Sequence, residues 1–307
     1  MKALCFGSLN MDYVYQVPHF VERGETLASS SMEVFSGGKG LNQSVALAKA
    51  GMETYLAGAI GEDGRFLLRV LQDAGVDTRY VECREDLRTG HAIIQRNPNG
   101  ENCILLYGGA NRSIGEEQAA QVLAGFAEGD LLLVQNEISA LPEIMKLARE
   151  KGMWIALNPS PMEPSLLCLG PDAFDLLILN EIEAAQLLGT QCGEPERMAY
   201  MLRERYPACR IVLTLGENGS LYLDGSQTLR QRAYRVRAVD TTAAGDTYTG
   251  YFLAGLFRSG DAEWALRFAS GASAIAVTRP GAAPSIPSAE EVLAFLEEHA
   301  HEGGEDR

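Results

Sequence analysis

Four short runs, DLLLVQ (130–135), MWIALN (153–158), DLLILN (175–180) and RIVLTLG (210–216), restrict the fold of this chain more than any other feature. They are made mainly of Leu, Ile and Val and show no polar residue at every second position. A strand with one wet face alternates, so a strand without alternation is covered on both faces. Segments of helical period follow or separate them, ALPEIMKLAREKG (140–152), EIEAAQLLG (181–189) and RMAYMLRERY (197–206). Alternation of this kind predicts an α/β fold, a central mostly parallel sheet with helices on both faces. Ligands of open α/β sheets sit beyond the carboxyl ends of the strands. The polar residues there are Asn10 and Asp12, Gln135 to Glu137, Asn158, Asn180, and Thr214 to Gly216.

The N-terminal part follows the same plan. KALCFG (2–7) and TYLAGAIG (54–61) read as strands, and RFLLRVLQDAG (65–75) as a helix. SMEVFSGGKGLNQSVALAKAG (31–51) passes from an extended stretch through glycines into an amphipathic helix with Val45, Leu47 and Ala48 inward and Gly51 as the stop. The pattern breaks at GHAIIQRN (90–97) and ENCILLYG (101–108), two extended runs joined by PNG with no helix between them. This is a hairpin signal. The chain is expected to form a single α/β domain over 1–307, with a small β lid built from about 13–17, 32–36 and 89–108. An antiparallel edge on the main sheet is the alternative for the hairpin. Near the end, EWALRFASGASAIAV (263–277) is helical, TRPGAAPSIP (278–287) cannot be, and SAEEVLAFLEEH (288–299) opens with a capping box, Ser288 with Glu291. The tail past Ala300 is expected to be disordered.

The run VDTTAAGDTYTGYFLAGL (239–256) carries the chemistry. From Thr247 onward its apolar positions recur at helical spacing, while Thr241 to Gly245 carry little side-chain bulk. A bare backbone before a helix start is an anion site, because unpaired N–H groups and the positive end of the macrodipole meet there. Asp246, an acid in the first turn, either caps the helix or serves as a general base beside a phosphate cradle.

Composition bounds the partners. Hydrophobic residues make up 46% and charged residues 22%, ordinary for a globular protein, and the formal net charge is −15. Nucleic acid and anionic membranes find little to hold on such a surface, so neither is an expected partner. The six cysteines include no C-x-x-C pair, and the four histidines form no ligand set with them, which speaks for reduced thiols and against zinc. No apolar run approaches the roughly 18 residues of a membrane span, and MKALCFGSLN lacks the layout of a signal peptide. A cytoplasmic protein is expected.

GGKG (37–40) alone is a weak signal, since it is no P-loop and a plain turn would account for it. Combined with GSLNMD (7–12), GGKGLNQ (37–43), YGGAN (107–111), LNPSP (157–161), LNEIEA (179–184), TLGENGS (214–220), VDTTAAGD (239–246) and AVTRPGAAPSIP (276–287), it is similar to the ribokinase (PfkB) family of carbohydrate kinases over essentially the whole chain. That resemblance implies a parallel sheet with a β lid and ATP-dependent phosphorylation of a sugar or nucleoside hydroxymethyl group, most closely the 5-hydroxyl of D-ribose. It implies a sugar set of Asn10, Asp12, Gly38, Lys39, Asn42 and Glu137, with Asp246 as catalytic base. Ala243, Ala244 and Gly245 would supply N–H groups to the phosphoryl in flight. Asn180 and Glu183 match the Mg²⁺ and phosphate element, though N-x-x-E on a bare sequence is usually surface decoration. Thr214, Gly216 and Gly219 match the nucleotide loop, and Ser270 the adenine pocket. Asp240, Thr242, Ala276, Arg279, Gly281 and Ser285 match a K⁺ site whose loop Pro280 and Pro284 stiffen or merely separate from a helix. A homodimer through the lid is common in the family. Met11 and Tyr107 depart from its pattern and are expected to reshape the sugar pocket, which leaves 2-deoxyribose, another pentose or hexose, or a nucleoside as alternative substrates. A non-catalytic sugar-binding protein is the alternative of another class.

Overall fold

The computed structural model describes residues 1–225 and 227–300; the predicted tail disorder therefore lies outside the described residues. The chain opens with β1 (Ala3–Phe6), β2 (Asn10–Gln16) and β3 (Ser31–Gly37), followed by α1 (Lys39–Lys49), β4 (Thr54–Gly61), α2 (Arg65–Asp73) and β5 (Asp77–Arg84). Next come β6 (Gly90–Arg96), β7 (Asn102–Tyr107), α3 (Glu116–Leu123), β8 (Leu131–Gln135), α4 (Leu141–Glu150) and β9 (Trp154–Asn158). The C-terminal half holds β10 (Leu176–Asn180), α5 (Glu181–Leu188), α6 (Pro195–Arg205), β11 (Arg210–Thr214), β12 (Ser220–Asp224) and β13 (Gln227–Gln231). It ends in the helices α7 (Ala244–Ser259), α8 (Ala262–Ala276) and α9 (Ala289–Glu298).

A nine-stranded sheet runs in the order β13-β12-β11-β10-β9-β8-β1-β4-β5. It is parallel from β5 to β11, and β12 and β13 add an antiparallel edge. The unalternating strands have a simple cause. Leu132 and Val134 enter one core, packed with α3 to α6, while Leu131 and Leu133 enter the other, packed with α1, α2, α7, α8 and α9. Consecutive side chains thus feed opposite interiors, and neither parity is wet.

The hairpin of 90–107 joins a separate four-stranded sheet, β3-β2-β6-β7, rather than the edge of the main one. In it β2 pairs antiparallel with β3 and parallel with β6. The outer strand β7 is exposed along its whole length. The far end of β6 reaches the body where Arg96 Nη2 stands 3.9 Å from Asp240 Oδ2. No helix among the described residues is long and apolar enough to cross a membrane.

The strand order reverses between β1 and β8, the place where a doubly wound sheet opens a crevice at its carboxyl edge. Gly7 and Ser8 leave β1 there, and Glu137 leaves β8. Two helices converge on the same edge. Gly250 of α7 lies against α1 so closely that a Cβ on it would come within 2.4 Å of the Ala46 methyl, and only glycine permits that approach.

Candidate active site

The α1–α7 contact sets the centre of the site. Asp246 stands in the first turn of α7, 8% exposed, and both carboxylate oxygens are held from α1. Asn42 Nδ2 donates to Oδ2 at 3.0 Å, and Gln43 Nε2 donates to Oδ1 at 2.9 Å. A helix-capping role would need the carboxylate to accept from its own first-turn amides, and no side-chain cap bond forms at this terminus. Ala243, the N-cap, has φ 58°, left-handed backbone that a non-glycine residue adopts at a cost of about 1–3 kcal/mol. The Ala244 N–H turns back to the Thr241 carbonyl at 3.2 Å. Those of Gly245 and Asp246 have no partner among the described residues and face the terminus.

A cleft of about 260 Å³ opens at this terminus, lined among others by Lys39, Asn158, Asn180, Glu183, Thr214, Ala244, Gly245 and Asp246. Three of these come from the carboxyl ends of β9, β10 and β11, where the strand pattern located them. Asn180 and Glu183 form a capping box: Asn180 Oδ1 accepts from Glu183 N at 2.8 Å and Glu183 Oε2 from Asn180 N at 3.0 Å. The N-x-x-E motif thus starts α5 and places a buried carboxylate in the cleft at the same time.

The predicted sugar set surrounds the other side of Lys39. Asn10 and Asp12 are on one face of β2, and Asn10 Oδ1 accepts from Asn111 Nδ2 at 2.8 Å. Asp12 lies over Gly37, whose absent side chain makes room: a Cβ there would be 2.2 Å from Asp12 Oδ2. Gly38, with φ 93°, is the N-cap of α1. Glu137 Oε2 accepts from Ser8 Oγ in a short hydrogen bond and from the Lys39 backbone N–H at 3.2 Å. Burial, then the neighbouring charges of Glu137 and Asp246, push the Asp12 carboxyl up to about 6. Burial works against the Lys39 ammonium, yet Asp246, Glu137 and Glu183 together outweigh it and raise its pKa. Lys39 therefore stands in the field of three carboxylates at one crevice.

The remaining predicted residues sit at the margins. Gly216 and Gly219 bracket a short turn after β11, with φ 57° and 94°. Ser270 is not part of the cleft lining, and its hydroxyl donates to the Arg232 carbonyl at 3.3 Å. Of Asp240, Thr242, Ala276, Arg279, Gly281 and Ser285, the structure joins Asp240, Thr242 and Gly281, because Asp240 accepts from Thr242 N at 2.9 Å and from Gly281 N at 3.1 Å. The Ala276 carbonyl accepts from Arg279 N, and Ser285 Oγ donates to the Ala282 carbonyl. Pro280 and Pro284 lie between those bonds, inside the loop. One expectation is corrected: Met11 does not face the sugar set but lies 3% exposed in the core on the opposite face of β2, as a two-residue period requires. Tyr107, at the end of β7, is exposed and packs on His91. Gln43, Thr241 and Thr249 received no role from the sequence, although the first closes the quoted motif GGKGLNQ and the other two flank Asp246.

Comparison with known proteins follows the same lines. The family model "pfkB family carbohydrate kinase" matches residues 1–289. The chain is 34% identical over 301 residues to ribokinase of Haemophilus influenzae, covering 95% of this chain and 97% of that protein. It is 30% identical to deoxyribokinase of Salmonella typhi, covering 96% and 99%. The solved structure of Arabidopsis thaliana ribokinase complexed with ribose and ATP superposes with a TM-score of 0.86 at 28% identity, covering 96% of this chain and 98% of that one. Fold, cleft and sequence agree, and the chain belongs to the pfkB family of carbohydrate kinases.

Proposed function

We propose that this protein is an ATP-dependent sugar kinase that phosphorylates the 5-hydroxyl of D-ribose. The observation that carries the reading is the buried Asp246 carboxylate, fixed by two amides in the same cleft as Lys39 and the unpartnered first-turn N–H groups of α7. Asn10, Asp12, Asn42 and Glu137 offer paired acceptors and donors to a polyhydroxylated ring, and Gly38 lets backbone approach it. Asp246 takes the proton of the attacking hydroxyl. The free amide of Gly245 meets the charge on the phosphoryl in flight, with those of Ala243 and Ala244 beside it, the latter exchanging its bond to the Thr241 carbonyl for the phosphoryl. Lys39 neutralises what reaches it from the nucleotide side. Thr214, Gly216 and Gly219 border the nucleotide, with Ser270 beyond them at the base.

Two ions belong to this reading, and the residues present fit both. Among the described residues no three His, Cys, Asp or Glu side chains cluster as a metal cage. Mg²⁺ needs none, since it binds one or two carboxylates, water and phosphate, and Asn180 with Glu183 would supply the protein side. It contributes charge neutralisation on the phosphates when bound. Carbonyl and hydroxyl oxygens of Asp240, Thr242, Ala276, Arg279, Gly281 and Ser285 would hold K⁺, and its effect would be to fix the loop that leads into Ala243. The likeness to a deoxyribokinase gives the 2-deoxy sugar as the second reading. A panel of ribose, 2-deoxyribose, hexoses and nucleosides, with ADP release measured with and without K⁺, tests both. Ribose is expected to give the highest kcat/KM, with turnover rising on K⁺. Ligand-induced thermal stabilisation with no ADP from any member would overturn catalysis itself.

The small sheet serves as the lid over the sugar, and its outer strand as a dimer seam in the cytoplasm. Ile104, Leu105, Leu106 and Tyr107 present a contiguous apolar edge, with Leu105 68% exposed. The protein is expected to elute as a dimer at micromolar concentration and Leu105→Glu as a monomer. A native protein at monomer mass would remove the seam.

Asp12 gives a pH signature. A carboxyl that is half protonated near pH 6 accepts from two sugar hydroxyls with both oxygens only in its charged form, since the proton turns one oxygen into a donor. Below that pH the apparent KM for the sugar should rise, approaching about tenfold per pH unit, while kcat changes less. The same raised value makes the folded state hold this proton more tightly than the unfolded chain, so Asp12 should cost stability as pH climbs from about 4 to 6. Asp12→Asn should flatten the KM profile in that window. A profile identical to that of the native protein would remove the assignment.

A further inference from the structure

Behind Asp246 lies a row of buried amides that the proposed chemistry has not used. Gln43 Nε2 spends one hydrogen on Asp246 Oδ1 and the other on Asn158 Oδ1 at 3.0 Å. Gln43 Oε1 accepts from Gln135 Nε2 at 2.6 Å. Asn158 Nδ2 in turn donates to the Ile178 carbonyl at 2.9 Å. Gln43 and Gln135 are fully buried and Asn158 nearly so.

The orientation of each amide follows from its neighbour. The Ile178 carbonyl is an acceptor only, so Asn158 must show it nitrogen and show oxygen to Gln43. Gln43 must then turn nitrogen toward Asn158 and Asp246, and the Gln135 donor on its far side agrees. Flipping Gln43 would set its oxygen against two acceptors and leave the Gln135 donor facing another. The row therefore has one low-energy polarity, anchored on β8, β9 and β10 and ending on the carboxylate. A carboxylate held at only one oxygen turns about its Cβ–Cγ bond. With Asn42 on Oδ2 and Gln43 on Oδ1, the plane is fixed.

We infer that Gln43 is a positioning residue for phosphoryl transfer, the terminus of an amide row, Gln135 and Asn158 behind it, that sets the orientation of the Asp246 carboxylate. The inference rests on the reading of Asp246 as base. It assigns Gln43 no contact with sugar or nucleotide, so its loss should act on kcat and only through Asp246.

Gln43→Met keeps the volume and removes the donors. In the native background kcat is expected to fall on the order of 10- to 100-fold, with sugar KM within about twofold. In an Asp246→Asn background the same substitution should change the residual kcat by less than about twofold, because the group it orients is gone. An equal fall in both backgrounds, or no fall in the native one, overturns the inference. A native enzyme without turnover on any sugar or nucleoside overturns the parent reading, which the panel reports separately. Should Gln43→Met fold poorly, Gln43→Glu preserves the shape and sets an acceptor against Asp246. Its deficit relative to native should shrink as pH falls from 8 to 6, since a proton restores a donor between the two acids. Taking the ratio removes what the charged groups around the cleft, Lys39 on α1, Asp12 on β2, Glu137 after β8 and Glu183 on α5, contribute in both proteins. Burial pushes the Cys5 thiol behind Gln135 up to about 11, outside that range. A ratio flat with pH also overturns the assignment.

Discussion

Asp246→Asn is expected to lower kcat by about 10² to 10⁴ while sugar affinity stays within a fewfold of native. An amide has the size of the carboxylate and reaches the same atoms, so the cleft keeps its shape. What it loses is the ability to take a proton from the attacking hydroxyl. A stability cost comes with it. Asn42 and Gln43 both aim donors at the two oxygens of Asp246, and an amide can answer only one with oxygen. The other contact becomes donor against donor, which costs about 1–3 kcal/mol for the group left unpaired. Steady-state kinetics separate the effects when read beside calorimetric titration of the sugar and a thermal melt. A variant that melts lower, binds sugar normally and does not turn over is the expected combination. Undiminished turnover would remove Asp246 as the base.

Gly245→Ala is expected to do the reverse to the scaffold. A Cβ on Gly245 meets nothing within 4 Å, so the chain has room for it. Alanine in a helix is favoured over glycine by about 1 kcal/mol, so the melting temperature should hold or rise. The room, however, belongs to the cleft at the first-turn amides, where the proposed reaction puts the phosphoryl group. A methyl group there holds an anion off its donors, and losing one such donor costs about 2.7 to 4 kcal/mol, or 10²- to 10³-fold in kcat. Increased stability with collapsed turnover would mark the glycine as kept for chemistry. A variant as active as native would place the migrating group elsewhere.

These two residues also show what the sequence discloses. The central strands of the main sheet were legible because both their faces are dry, so Leu131 to Val134 needed no neighbour to declare their burial. The capping box of Ser288 with Glu291 is equally local and stands as read. β5 and α3 passed unnoticed, the former because Asp77 to Arg84 is a half-buried edge rich in charge. The antiparallel pair β12 and β13 was hidden behind a motif that drew attention to its first turn instead. In the site, Asp246, Lys39, Asn180, Glu183 and Thr214 were found through motifs, and one cleft holds them all. Gln43 closes one of those motifs, yet the motif gave it no role. Its partner is 203 residues distant, and nothing local announces that α1 and α7 will touch. Met11 was misjudged for the opposite reason: proximity in sequence to Asn10 and Asp12 counted for more than the alternation that turns it away.

The division of the central strands between two interiors has a mechanical meaning. Both helices that meet at the Asp246 carboxylate, α1 and α7, rest on the same side of the wall, whereas α3, α4 and α6 rest on the other. Neighbouring residues such as Leu132 and Leu133 thus belong to different compartments, and a void opened under α4 has the whole thickness of the sheet between it and the proton transfer. A cavity in the rear compartment under α4 should therefore lower stability without moving the Asp246 carboxylate.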